Sequence, residues 1–123
     1  MATGEYLKTA AASLRSAVVS LQQQAKDMQG SLTRLRSEKT SVIDNNKVAI
    51  KTKQAEAVAV TDLGRKSHLS QEIQKLQDEI IAAEQQLRQA ENDIQQAVKT
   101  KLDSATGIEN QAKQLESQAG SID

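Results

Sequence analysis

The chain has 123 residues, in which 16 Lys/Arg balance 16 Asp/Glu, with one histidine, one tyrosine and no Pro, Cys, Trp or Phe. So few aromatics disfavour a compact multilayer core, absent cysteine removes disulfides and thiolate metal sites, and zero net charge gives no global pull toward nucleic acid or anionic membranes. What remains is rich in Ala, Leu, Gln, Lys and Glu, residues that lose little side-chain freedom in a helix, with no proline to interrupt them.

The opening residues Met1-Ala2-Thr3-Gly4-Glu5 show no basic stretch followed by an apolar run, and no segment approaches the ~18 apolar residues of a spanning helix. A cytoplasmic protein is therefore expected, with signal-less export as the alternative.

Leu7, Leu14, Leu21, Met28, Leu35 and Val42 then recur every seven residues. Such a repeat marks a helix that packs along a narrow seam, with these residues at d and Ala11, Val18, Ala25, Leu32, Lys39 and Asn46 at a. Lys39 and Asn46 interrupt the seam, where polar residues either fix register or snorkel outward. Asp44-Asn45-Asn46 is a candidate for an early helix end, because Asx side chains compete for local backbone bonds.

Thr61-Asp62-Leu63-Gly64-Arg65-Lys66-Ser67 follows. Gly64 is the expected turn residue, because glycine takes the left-handed conformation just past a helix C-terminus without a Cβ penalty. Ser67 or Ser70 would cap the next helix. The expected boundaries are helix 1 over about 5–62, a turn over about 63–67 and helix 2 over about 68–119, in one helical coiled-coil domain, 1–123.

A second stripe, Ile73, Ile80, Leu87, Ile94, Ile108, Leu115 and Ile122, occupies a in the second arm, with Lys101 as its interruption. Its d positions are Leu69, Leu76, Ala83, Ala90, Ala97, Ser104 and Gln111. Val42 and Leu69 lie one residue short of four heptads apart, an offset that no single stutter or stammer produces but a chain reversal permits. If the chain reverses between Gly64 and Arg65, residue i faces residue 129 − i, so that Leu7 meets Ile122, Leu14 meets Leu115 and Leu21 meets Ile108. A register moved by one heptad preserves the same layers.

Residues 1–61 carry nine basic and five acidic side chains, and residues 62–123 carry seven and eleven. This complementarity suits intrachain pairing, Arg36 with Glu91 being one reachable pair. The fold expected is all-α: a long antiparallel two-helix coiled-coil hairpin, assembled into a four-helix or larger bundle. Assembly is expected because two helices bury only one stripe each, which seldom offsets the conformational entropy of so many ordered residues. Ala10, Ala17, Ile43, Ile50, Val98, Ala105, Ala112 and Ala119 flank the seams and are expected to meet another hairpin.

Chemistry-bearing patterns are scarce. His68, the lone histidine, has no partners at ligand spacing, so no metal site is expected. Carboxylate pairs such as Asp78-Glu79 would need a desolvating pocket to work as acid and base, which a two-helix seam does not offer. The basic cluster Arg34, Arg36, Lys39, Lys47, Lys51 and Lys53 lacks interleaved aromatics, so nucleic-acid binding is not expected. No glycine-rich phosphate loop or activated nucleophile occurs, and neither catalytic activity nor a cofactor is expected.

The functional expectation is a structural or adaptor coiled-coil protein that forms homo-oligomers and holds an unidentified protein partner along a helical surface. The alternatives are an amphipathic helical protein lying on membranes and a small signal-less secreted helical hairpin. Length and hairpin shape resemble the tryptophan-x-glycine class of small bacterial export substrates. Leu63-Gly64 does not reproduce that class's turn motif, so the resemblance is architectural and transfers no residue role.

Overall fold

The computed structural model describes residues 2–122. All of them are helical except Val60, Thr61 and Asp62, giving α1 over Ala2–Ala59 and α2 over Leu63–Ile122, packed against each other as a helical hairpin. The expected all-α hairpin is therefore present. α1 runs without a break through Asp44-Asn45-Asn46, whose side chains do not end it.

The reversal differs from expectation. Helix 1 ends at Ala59 rather than near residue 62, and helix 2 begins at Leu63 rather than near residue 68, so Gly64 lies in the first turn of α2. No described residue has positive φ, glycine included. The residue responsible is Asp62. Its carboxylate oxygen Oδ1 accepts a bond from the Gly64 N–H at 3.1 Å, and its carbonyl accepts the first α2 bond from Lys66 N at 3.0 Å. An aspartate immediately before a helix is among the strongest N-caps, and it places glycine two residues inside, where no left-handed conformation is required.

At the other side of the reversal, Val60 N donates to Glu56 O at 3.1 Å, so α1 closes with an ordinary helical bond. Glu56 in the last turn of α1 and Arg65 in the first turn of α2 each oppose their own helix dipole. Their side chains offset this by meeting each other, Arg65 Nη2 lying 2.6 Å from Glu56 Oε1. This cap makes two opposite expectations. Asp62→Ala lowers stability by about 1 kcal/mol. Gly64→Ala raises it by a few tenths to about 1 kcal/mol, because a helical glycine is replaced by the better helix former. The added Cβ would sit 3.5 Å from Asp62 Oδ1, an ordinary contact. Thermal denaturation of the two variants checks both signs; a left-handed Gly64 would make both destabilising.

Moving the reversal moves the register. Asn46 Nδ2 reaches the carbonyl of Leu76 at 3.5 Å, which places residue i of α1 opposite about residue 122 − i of α2. That is one heptad away from the 129 − i pairing. The layers keep their type, but their members change.

The chain groups into two units, Met1–Ser31 with Asp93–Asp123, and Leu32–Asn92. In the first, the buried side chains are small: Ala11, Val18 and Ala25 from α1, with Val98, Ala105, Ala112 and Ala119 from α2. In the second, Leu32, Leu69 and Ala83 are buried, and Leu69 is the one large side chain that is fully covered among the described residues. Small residues at heptad spacing on both helices permit the backbones to approach closely, so alanine methyls form the contact line.

Two expectations about the seam change as a result. Val98, Ala105, Ala112 and Ala119 belong to the hairpin's own interior and are not left over for another hairpin, whereas Ser104 and Gln111, expected at d, are exposed. The large aliphatics expected as the seam flank this line: Leu7, Leu14, Leu21, Met28 and Leu35 are half-buried, as are Ile73, Ile80, Leu87, Ile94, Ile108 and Leu115, and Val42 is 44% exposed.

Candidate functional site

Polar side chains cross between the helices in each unit. In the Leu32–Asn92 unit, positions 39, 46 and 53 continue the heptad line of Leu32 with polar residues. Each finds a partner on α2. Lys39 Nζ donates to Gln86 Oε1 at 2.6 Å, Asn46 Nδ2 to Glu79 Oε2 at 3.1 Å, and Lys53 Nζ to Glu72 Oε2 at 2.6 Å. The amide and ammonium groups are thus satisfied from the flank, and the interruptions specify which α2 residues stand opposite. The expected pair Arg36–Glu91 forms with Nε to Oε1 at 3.0 Å.

His68 lies in α2, with its Nε2 2.7 Å from Glu72 Oε1. Glu72 thereby sits between Lys53 and His68. Chiefly through the Lys53 hydrogen bond, its carboxyl is held below the ordinary 4.5. Among the described residues, no three His, Asp or Glu side chains come together in a way that would hold a metal ion.

In the other unit, Arg15 spans two turns of α2. Its Nε donates to Glu109 Oε1 at 3.2 Å and its Nη2 pairs with Glu116 Oε1. The two carboxylates bracket Ala112, whose burial beside Ala11 is thereby flanked by charge. The Glu116 bond, followed by Glu109, raises the Arg15 pKa, and the same bond lowers that of Glu116.

The sign of the pH dependence follows. Glu72 and Glu116 have folded pKa values below 4.5, so their contributions are complete above that value and are lost as pH falls through the lowered ones. All these groups are solvent-exposed, so each contribution is small. The Glu116→Gln variant is expected to melt slightly below the parent at pH 7, by a gap that narrows as pH falls below 4.5 through the lowered carboxyl range; a gap that does not change on acidification would contradict the pairing.

Beside the Arg15 pair, the surface of this unit is grooved. Val19, at 64% exposure, and Leu102, at 41%, line one shallow groove together with Gln22 and Lys26. A second groove continues past Leu102 and Gln22 over Val18 and Ala105 toward Glu109 and Lys113. Sequence patterning did not single out Val19 or Leu102, since neither occupies a seam position. The available signal was an apolar residue standing directly after a seam position on each arm, in Val18-Val19 and Lys101-Leu102.

No described helix is long and apolar enough to cross a membrane. The chain matches no protein-family model, no curated protein and no solved structure with which it was compared.

Proposed function

We propose that this is a non-enzymatic structural or adaptor coiled-coil protein, working in the cytoplasm, that self-associates and holds a protein partner along its helical surface. The observation that carries the reading is surface area. The chain exposes 8419 Å². A compact monomer of 13.3 kDa exposes only about 6,500 Å², so about 2,000 Å² is in excess. The aliphatics Val19, Val48, Val58, Leu63, Ile81 and Leu102 are among the side chains the hairpin leaves exposed. Exposed aliphatics gain stabilisation when another helical surface removes them from water.

Size-exclusion chromatography with light scattering tests the proposal. The expected result is a mass that is a multiple of 13.3 kDa. A fully helical, monodisperse monomer over the whole accessible concentration range would overturn it.

A further inference from the structure

On either side of the reversal, each helix turns one face to the other. On α1 that face is marked by the half-buried Asn46, Lys53 and Ala57, and on α2 by the buried Leu69 with the half-buried Ile73 and Leu76. The bonds from Asn46 Nδ2 to the Leu76 carbonyl at 3.5 Å and from Lys53 Nζ to Glu72 Oε2 at 2.6 Å show that the two faces meet. We infer that these faces are out of phase along the chain, and that the phase break is a lock: it holds the arms of one chain on each other and keeps two copies from exchanging them.

Arm exchange is a low-cost route by which a helical hairpin becomes a dimer. When a reversal straightens, each arm finds the same partner surface on a second copy, and the residues of the turn gain helical bonds. The Asp62 cap and the Glu56–Arg65 pair oppose straightening locally, but the backbone does not. The reversal is only Val60, Thr61 and Asp62, it contains no glycine or proline, and no described residue has positive φ. Helical bonds run up to it on both sides, from Val60 N to Glu56 O and from Lys66 N to Asp62 O.

Phase supplies the stronger opposition. Lys53 and Leu69 stand sixteen residues apart. On one continuous helix of 3.6 residues per turn that is about 4.4 turns, so the α1 face and the α2 face would point about 160° apart, to opposite sides of one rod. A second copy laid alongside such a rod covers one face and leaves the other in water. An exchanged dimer that kept residues 60–62 irregular would cover both, yet it would form no bond that the single hairpin lacks and would carry the entropic cost of joining two chains. The closed hairpin covers both faces without that cost. This holds whether or not hairpins associate as proposed above, because associating hairpins keep their own arms.

Restoring the phase is expected to release the lock. Deleting Thr61 and Asp62 leaves Lys53 and Leu69 fourteen residues apart, two heptads, on one face of a continuous helix. The control, Thr61→Ala with Asp62→Ala, removes the cap and favours helix through the reversal without changing the spacing. Parent, deletion and control proteins are each made with Ala11→Cys and Ala112→Cys, refolded from denaturant at high protein concentration and oxidised. The native chain has no cysteine, so a covalent dimer on a non-reducing gel reports exchanged arms.

The deletion variant is expected to give mainly covalent dimer, whereas the parent and the double-alanine control crosslink within single chains. A deletion variant that crosslinks only within chains would overturn the phase lock, and so would a parent or a control that forms covalent dimer as readily as the deletion variant. Circular dichroism checks folding. If the deletion variant loses helicity, insertion of two alanines between Thr61 and Asp62 decides, because it keeps every native residue and sets Lys53 and Leu69 eighteen residues apart, about five full turns. Covalent dimer is expected from the insertion variant, and its absence overturns the proposal.

Discussion

Leu69→Ala is expected to lower the unfolding free energy by about 2–5 kcal/mol, the largest loss for any single truncation in the chain. Leu69 is the one large side chain fully enclosed among the described residues. Removing three carbons there forfeits both their transfer from water and the contacts of the walls left behind. Leu63→Ala is the control. Leu63 is 80% exposed, and its loss is expected to stay within about 0.5 kcal/mol. Chemical denaturation at dilution sufficient to hold both variants in the same association state measures the difference. Equal losses at the two sites would show that Leu69 is not enclosed.

The second large effect runs against ordinary coiled-coil experience. Enlarging a seam alanine to leucine usually adds apolar burial, yet Ala112→Leu is expected to destabilise this hairpin by about 1–3 kcal/mol. Ala112 is fully buried, as Ala119 is, and Ala11 across the contact line is nearly so. At such fully covered positions an isobutyl group has room only if the surrounding side chains or the backbones shift. Separation would also lengthen the bonds from Arg15 to Glu109 and Glu116 on either side. Gln111→Leu, one residue away and exposed, provides the contrast, with a change within about 0.5 kcal/mol. A rise in melting temperature for Ala112→Leu would mean that the contact line is made by the larger residues after all.

Much of this architecture was legible from spacing alone. Leucines and isoleucines every seven residues on two arms, with an offset between them that no simple heptad insertion explains, imply two packed helices and a reversal. Three features were not legible, each for a physical reason. Register in an antiparallel pair is periodic, so 129 − i and 122 − i satisfy the same aliphatic pattern; the reversal at residues 60–62 and the bond of Asn46 to the Leu76 carbonyl discriminate between them. Gly64 and Asp62 are both helix-end residues, and side-chain capping by Asp62 places the glycine inside α2. Finally, a heptad contains two inward positions, and the pattern does not say which one lies on the axis. Large residues draw the eye, but close approach of backbones favours the small ones, so Ala11, Ala105, Ala112 and Ala119 take the centre while Leu14 and Ile108 stand beside it.

The groove at Val19 and Leu102 was hidden for a related reason. On a heptad wheel the two residues lie outside the seams of their own arms, and only the pairing of α1 with α2 brings them to one depression. A surface assembled from two helices is visible only after their register is known.

A disulfide between positions 11 and 112 tests the arrangement most directly. The chain contains no cysteine, so the Ala11→Cys/Ala112→Cys variant has a single possible intrachain bond. Oxidised at high dilution, it is expected to crosslink within one chain nearly to completion, whereas Leu21→Cys/Ile108→Cys, opposed only in the 129 − i register, does not. Crosslinking of the second pair without the first, or crosslinks formed only between chains, would contradict a single-chain hairpin closed along its alanine line.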